Sequence, residues 1–145
     1  MLELLTKPFG KIEIYPEQIL EFEDGLLGFE TYNKFALIEE NEESPFKWLQ
    51  AVQEQGLAFI VIQPSLFIDD YKPLIPSEEL SEIGLETYSD ALVFVIVTIP
   101  LENPNEMTAN LQGPILINKK NSKAKQFISR DEKHPVRYKM IEGQA

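Results

Sequence analysis

Apolar and charged residues alternate along 11–15 and again along 20–23, where Leu20 and Phe22 fall on one face and Glu21 and Glu23 on the other. A period of two sends successive side chains to opposite sides, so both segments read as half-buried strands. Asp24-Gly25-Leu26-Leu27-Gly28 breaks the pattern with loop chemistry that carries two leucines in need of a place to go. Residues 35–39 resume as a strand. Residues 46–53 then alternate around the single tryptophan, Trp48; Glu54-Gln55-Gly56 turns the chain and 57–63 returns, which predicts a hairpin. Its second arm is apolar on both faces and belongs near the middle of the core, ended by Pro64.

Between Pro64 and Gly84 the pattern changes. Prolines frame the acidic pair Asp69 and Asp70, and Ser77 is placed to cap a short helix containing Glu78, Glu79 and Leu80 that Gly84 would close. This is the one helix of note. Residues 91–99 are a β-branched run stopped by Pro100, and 106–111, 115–118 and 124–128 repeat the strand pattern around Gly113-Pro114 and the turn Lys119-Lys120-Asn121-Ser122. Eight or nine sequential strands without long crossover helices predict a mainly β fold, a compact antiparallel barrel or sandwich. The domain spans 1–131, and 132–145 reads as a polar tail, loose or ordered by a partner.

Composition narrows the function. With 145 residues the chain can bury one core but not two ordinary ones. Its 24 acidic and 13 basic side chains give a formal net charge of -11, which repels phosphate backbones and anionic lipid surfaces and attracts a basic protein. Acidity also confers solubility, and charge alone does not choose between these uses. Like-charged copies repel, so a monomer is expected. The absence of cysteine removes disulfides and thiolate chemistry and fits a reducing cytoplasm. No apolar stretch approaches the ~20 residues of a membrane helix, and no signal-like segment opens the chain.

Catalytic signatures are sparse. The single histidine, His134, precedes Pro135 in a polar stretch and reads as a surface residue, with no second histidine for a metal site and no Gly-x-Ser-x-Gly elbow to serve. Neither phosphate-binding glycine motif occurs. Asp69 and Asp70 read as solvated loop acids, as a protein-contact patch, or as a cation or acid-base pair, which adjacent extended residues would form only in a turn. Trp48 suits a core or a hot spot, whereas Tyr71, in a proline-framed loop, suits an interface.

Several words taken together resemble the flagellar assembly factor FliW family. They are Phe22-Glu23-Asp24-Gly25-Leu26-Leu27-Gly28-Phe29-Glu30, Pro45-Phe46-Lys47-Trp48-Leu49-Gln50 and Phe67-Ile68-Asp69-Asp70-Tyr71. Met107-Thr108-Ala109-Asn110-Leu111-Gln112-Gly113-Pro114-Ile115, Ile117-Asn118 and Gln126 follow in the family's order, so the resemblance covers nearly the whole chain. It implies a β-barrel-like fold, no enzyme activity and no cofactor. It also implies a cytoplasmic role in which FliW binds flagellin and, when free of it, binds the translational regulator CsrA. Antagonism of CsrA, noncompetitive and allosteric, would then relieve repression of flagellin translation.

Acidity and an aromatic anchor nominate Phe67, Asp69, Asp70 and Tyr71, followed by Glu78 and Glu79, as part of the regulator-binding surface. Asn110, with Thr108 and Gln126, either completes main-chain hydrogen bonds in a bulge or turn or contacts a partner. Gly25 to Gly28 read as fold-forming, with a leucine plugging the barrel. A different class remains beside these: a small β-barrel that holds a small molecule or performs carboxylate-assisted hydrolysis.

Overall fold

Alternation decides which face each strand buries, and here most strands bury both. The computed structural model describes residues 1–141. Its strands are β1 (Leu2–Thr6), β2 (Gly10–Ile14), β3 (Ile19–Glu21), β4 (Lys34–Glu39), β5 (Phe46–Ala51) and β6 (Ala58–Ile62). After helix α1 (Ser77–Leu80) come β7 (Leu92–Thr98), β8 (Thr108–Ala109), β9 (Ile115–Asn118), β10 (Lys123–Gln126) and β11 (Tyr138–Lys139). Pairing runs β7-β6-β5-β4-β3-β10-β9 and returns from β9 to β7, closing a barrel of seven strands. Every pair in it is antiparallel except β3 with β10, joined in parallel at Glu21 and Lys123.

The interior holds Leu20, Phe22, Phe35, Leu49, Val61, Phe94, Ile115 and Ile117, with Phe22 and Phe35 in edge-to-face contact at 5.3 Å. Leu26, from the glycine loop, is only 1% exposed and packs into the same cluster. Its neighbour Leu27 faces out.

Three attachments cover the outer face. The hairpin β1–β2 lays Leu4, Ile12 and Ile14 over Ala36, Ile38 and Trp48, and Phe9 meets Trp48 edge-on at 6.3 Å. Trp48 is therefore half-buried core. Buried Gln50 locks this layer, accepting from the Lys7 N–H at 2.9 Å and donating to carbonyls of the β5–β6 turn. The segment after β6, with β8 and β11, covers Ile62, Val95 and Val97. The segment around α1 covers Val93, Leu116 and Phe127 with Leu80, Ile83 and Leu85. This explains why strands without polar alternation occur in so small a protein.

Four expectations change. Strand β1 falls in a segment with no strand assigned to it, because Leu2-Glu3-Leu4-Leu5 alternates poorly and gains its partner only from β2. The strand expected over 106–111 shrinks to β8, since Pro104–Glu106 forms a turn. Ser77 does not cap α1: Pro76 holds that position, its carbonyl accepting from the Glu79 and Leu80 N–H groups, while Gly84 closes the following turn at φ +79°. Within the expected tail, Tyr138 and Lys139 pair with Ala109 and Thr108. Residues 132–141 are thus tied to the barrel, and 142–145 lie outside the described residues.

Candidate protein-binding surface

Pro64 ends β6 and starts the loop that carries most of the nominated residues. Its carbonyl accepts from the Phe67 and Ile68 N–H groups at 3.1 and 2.9 Å, a turn that lifts the chain off the sheet. Phe67 and Ile68 then fold back as half-buried members of the outer cluster over β6 and β7, the Phe67 ring 5.9 Å from that of Tyr138. The excursion leaves Asp69 and Asp70 in solvent. Asp70 meets only Lys72, at 3.4 Å in an open pair worth well under ~1 kcal/mol.

Tyr71 is not the exposed anchor expected of it. Its hydroxyl donates to the Leu111 carbonyl at 2.6 Å, its ring lies 4.7 Å from the His134 ring, and burial raises its pKa well above the ordinary tyrosine value. His134 is likewise not a surface residue, with its side chain 11% exposed. Its Nδ1 lies 2.8 Å from the Ser129 hydroxyl oxygen, which also accepts from the Leu74 N–H at 3.0 Å. The Arg130 N–H donates back to the Leu74 carbonyl at 2.8 Å, and the Leu111 N–H donates to Pro135 at 3.0 Å. Loop 64–74, the turn after β8 and the C-terminal segment are thereby tied into one block.

Ser129, His134 and Asp131 meet here, but their geometry does not suit nucleophilic catalysis. The serine is 3% exposed with its oxygen engaged by Leu74, and Asp131 approaches His134 Nε2 only to 3.9 Å. The trio holds chain to chain. Sequence reasoning missed Ser129 because nothing near it in the chain reveals that its partners are Leu74 and His134.

The other nominated residues divide. Glu78 is exposed on α1, and Glu79 forms an ion pair with Arg130 at 2.6 Å. Asn110 builds a turn, its side-chain oxygen accepting from the Gln112 and Gly113 N–H groups at 3.1 and 2.9 Å. Gln126, 8% exposed, accepts from the Leu27 N–H at 3.0 Å and donates to the Gly113 carbonyl at 3.1 Å, bolting the glycine loop to the break before β9. Thr108 belongs to β8. The side chains of Asn110 and Gln126 thus complete main-chain hydrogen bonds.

Charge is distributed unevenly. Lys11, Lys47 and Arg130 each meet one carboxylate, and Lys125 meets both Asp24 and Glu82. Burial works to lower the Lys125 pKa, and the hydrogen bonds it donates to Glu82 and Asp24, with the charges of those carboxylates, outweigh it and hold the ammonium above its usual value. The excess of 24 acidic over 13 basic side chains leaves the net charge at -11. Among the described residues no three His, Cys, Asp or Glu side chains gather as metal ligands, and no helix is long and apolar enough to cross a membrane.

The family model described as FliW protein matches residues 3–140. The chain belongs to the FliW family. The flagellar assembly factor FliW of Leptospira biflexa is 61% identical over 138 residues, covering 95% of this chain and 90% of that protein. The FliW of Treponema denticola is 46% identical over 140 residues, covering 97% and 94%. A crystal structure of the flagellar assembly factor FliW superposes with a TM-score of 0.88 at 29% identity, covering 99% of both chains. The FliW fold is thus the seven-stranded barrel with its three outer layers.

Proposed function

We propose that this chain is a cytoplasmic flagellar assembly factor that acts by binding proteins and carries out no catalysis. It takes up flagellin, and when free of flagellin it binds CsrA and antagonises it without competing for the RNA face, which relieves repression of flagellin translation. The observation that carries this reading is the FliW match over residues 3–140. The acid surface supports it physically: a protein with a net charge of -11 is drawn to the basic surface an RNA-binding regulator must present, and is repelled by RNA itself. Loop 64–74 is suited to display, since Tyr71 and Leu74 fix its course while Asp69 and Asp70 stay in solvent, Asp70 only in an open pair with Lys72.

Switching between two partners needs only two complexes whose populations follow concentration and affinity. Titration calorimetry with purified flagellin and CsrA tests it. The reading expects a complex with each protein, less CsrA bound once flagellin is added, and a CsrA affinity that falls with salt. Stable complexes with neither would overturn it.

A further inference from the structure

The register of β7 leaves one main-chain position without its strand. Ile62 pairs with Val95 and Ile60 with Val97, while on the opposite edge Leu92 pairs with Ile117 and Phe94 with Ile115. The Asn110 N–H donates to the Ile96 carbonyl, so Ile96, Phe94 and Leu92 direct their main-chain groups toward β8 and β9. By alternation Val95 and Val93 direct theirs toward β6. The residue due opposite Val93 is Pro64, two places beyond Ile62. Pro64 has no N–H to give, and its carbonyl is turned into the 64–68 loop by Phe67 and Ile68. Val93, the second residue of β7, thus directs its donor and acceptor to an edge where the pairing with β6 has already ended.

A cavity of about 240 Å³ lies at that edge, lined by Gln63, Pro64, Tyr71, Pro73, Tyr88 and Val93, with Asp69 on its wall. It falls at the seam between two outer layers, because Tyr71 belongs to the cluster over β6 while Tyr88 and Val93 belong to the cluster beside α1. Its lining mixes the rings of Pro64, Tyr71, Pro73 and Tyr88 with polar Gln63 and Ser89, and Asp69 on its wall is exposed.

We propose that this slot receives a short extended segment of a basic partner protein, which adds to the edge of β7 by pairing with Val93 and sets a lysine or arginine against Asp69. The main chain of Val93 supplies affinity, as in other strand-addition sites, and Asp69 supplies sign. The Ala91 N–H already donates to the Tyr88 carbonyl, so pairing is confined to Val93 and only two or three residues of the partner, about 7 Å of extended chain, enter. The proposal goes beyond the functional reading above and does not depend on which partner supplies the segment.

The test is amide hydrogen exchange followed by NMR on the intact chain, free and with a blocked seven-residue peptide of alternating valine and arginine. In the free protein the Val93 amide should exchange at least about tenfold faster than those of Phe94 and Val95. Saturating peptide should slow it by about tenfold or more, and main-chain N-methylation or glutamate in place of arginine should abolish the effect. Ser89 is exposed and lines the slot, so Ser89→Trp should block the peptide while circular dichroism stays unchanged. A free-state Val93 amide as protected as Val95 would overturn the proposal. So would equal binding of the N-methylated peptide, or protection of Val93 that grows with protein concentration, the mark of a second copy in the slot. Absence of flagellin and CsrA binding by the unaltered chain would sink the functional reading and leave the Val93 result standing, so the two failures are distinguishable.

Discussion

The loop at 24–30 and the loop at 64–74 both leave the end of a barrel strand, and both send an apolar side chain back into a core. The first is closed on itself. A methyl group on Gly25 would meet Glu30 Cα at 2.6 Å and the Phe29 carbonyl at 2.8 Å, Leu26 is sealed in the barrel, and Leu27 is tethered by buried Gln126. The second is fixed at Pro64, Tyr71 and Leu74 yet keeps its two aspartates in water. The difference separates residues that make the fold from residues that the fold leaves in solvent, although both loops are equally marked words in the sequence.

The largest test of that division is Gly25→Ala. The position has φ +65° and no room for a side chain, so the variant should lose about 3 kcal/mol in urea unfolding. Gly28, at φ +88° with open space around it, gives the contrast: its alanine should cost only about 1 kcal/mol. Equal losses at the two would mean that the close approach at Gly25 is not what holds the loop.

Gln126→Leu leaves the Leu27 N–H and the Gly113 carbonyl without partners and should cost about 2–3 kcal/mol. A neutral result would dissolve the closed-loop side of the comparison.

Tyr71→Phe removes one hydrogen bond and should cost about 1 kcal/mol, measured by the same unfolding. Its pH dependence carries a sign. Burial raises the folded pKa of this hydroxyl above the ordinary value near 10, so the unfolded chain ionises first. The stability owed to the neutral hydroxyl is therefore full below about pH 10 and falls as pH rises beyond it. In Tyr71→Phe that alkaline decline should be shallower, which a urea series from pH 8 to 11 would read.

Most of the barrel was legible because its signals are local: a period of two, a β-branched run, prolines at strand ends. What escaped notice is long-range. The hairpin strand β1 needs β2 and the outer face of β4 to become a strand, and β11 needs two residues of β8. The candidate surface was half legible. Asp69 and Asp70 are exposed as expected, since a proline-framed acidic loop has nowhere dry to go. Tyr71 and His134 face inward because each found a partner about five to forty positions away, Ser129 for His134 and Leu111 for Tyr71, a pairing that no spacing rule encodes. The acid excess that first suggested a protein partner is a property of the whole chain, and Lys11, Lys47, Lys125 and Arg130 pair with carboxylates locally without changing it.

The display side of the comparison rests on Asp69 and Asp70, and reversing both charges changes almost nothing inside the molecule. The double variant Asp69→Lys, Asp70→Lys should unfold within about 0.5 kcal/mol of the unaltered chain. The decisive measurement is its affinity for CsrA at low and high salt, taken beside that unfolding curve. The account predicts about a tenfold loss or more at low salt that shrinks as salt rises. An unchanged affinity at both salt concentrations, in a fully folded variant, would contradict it.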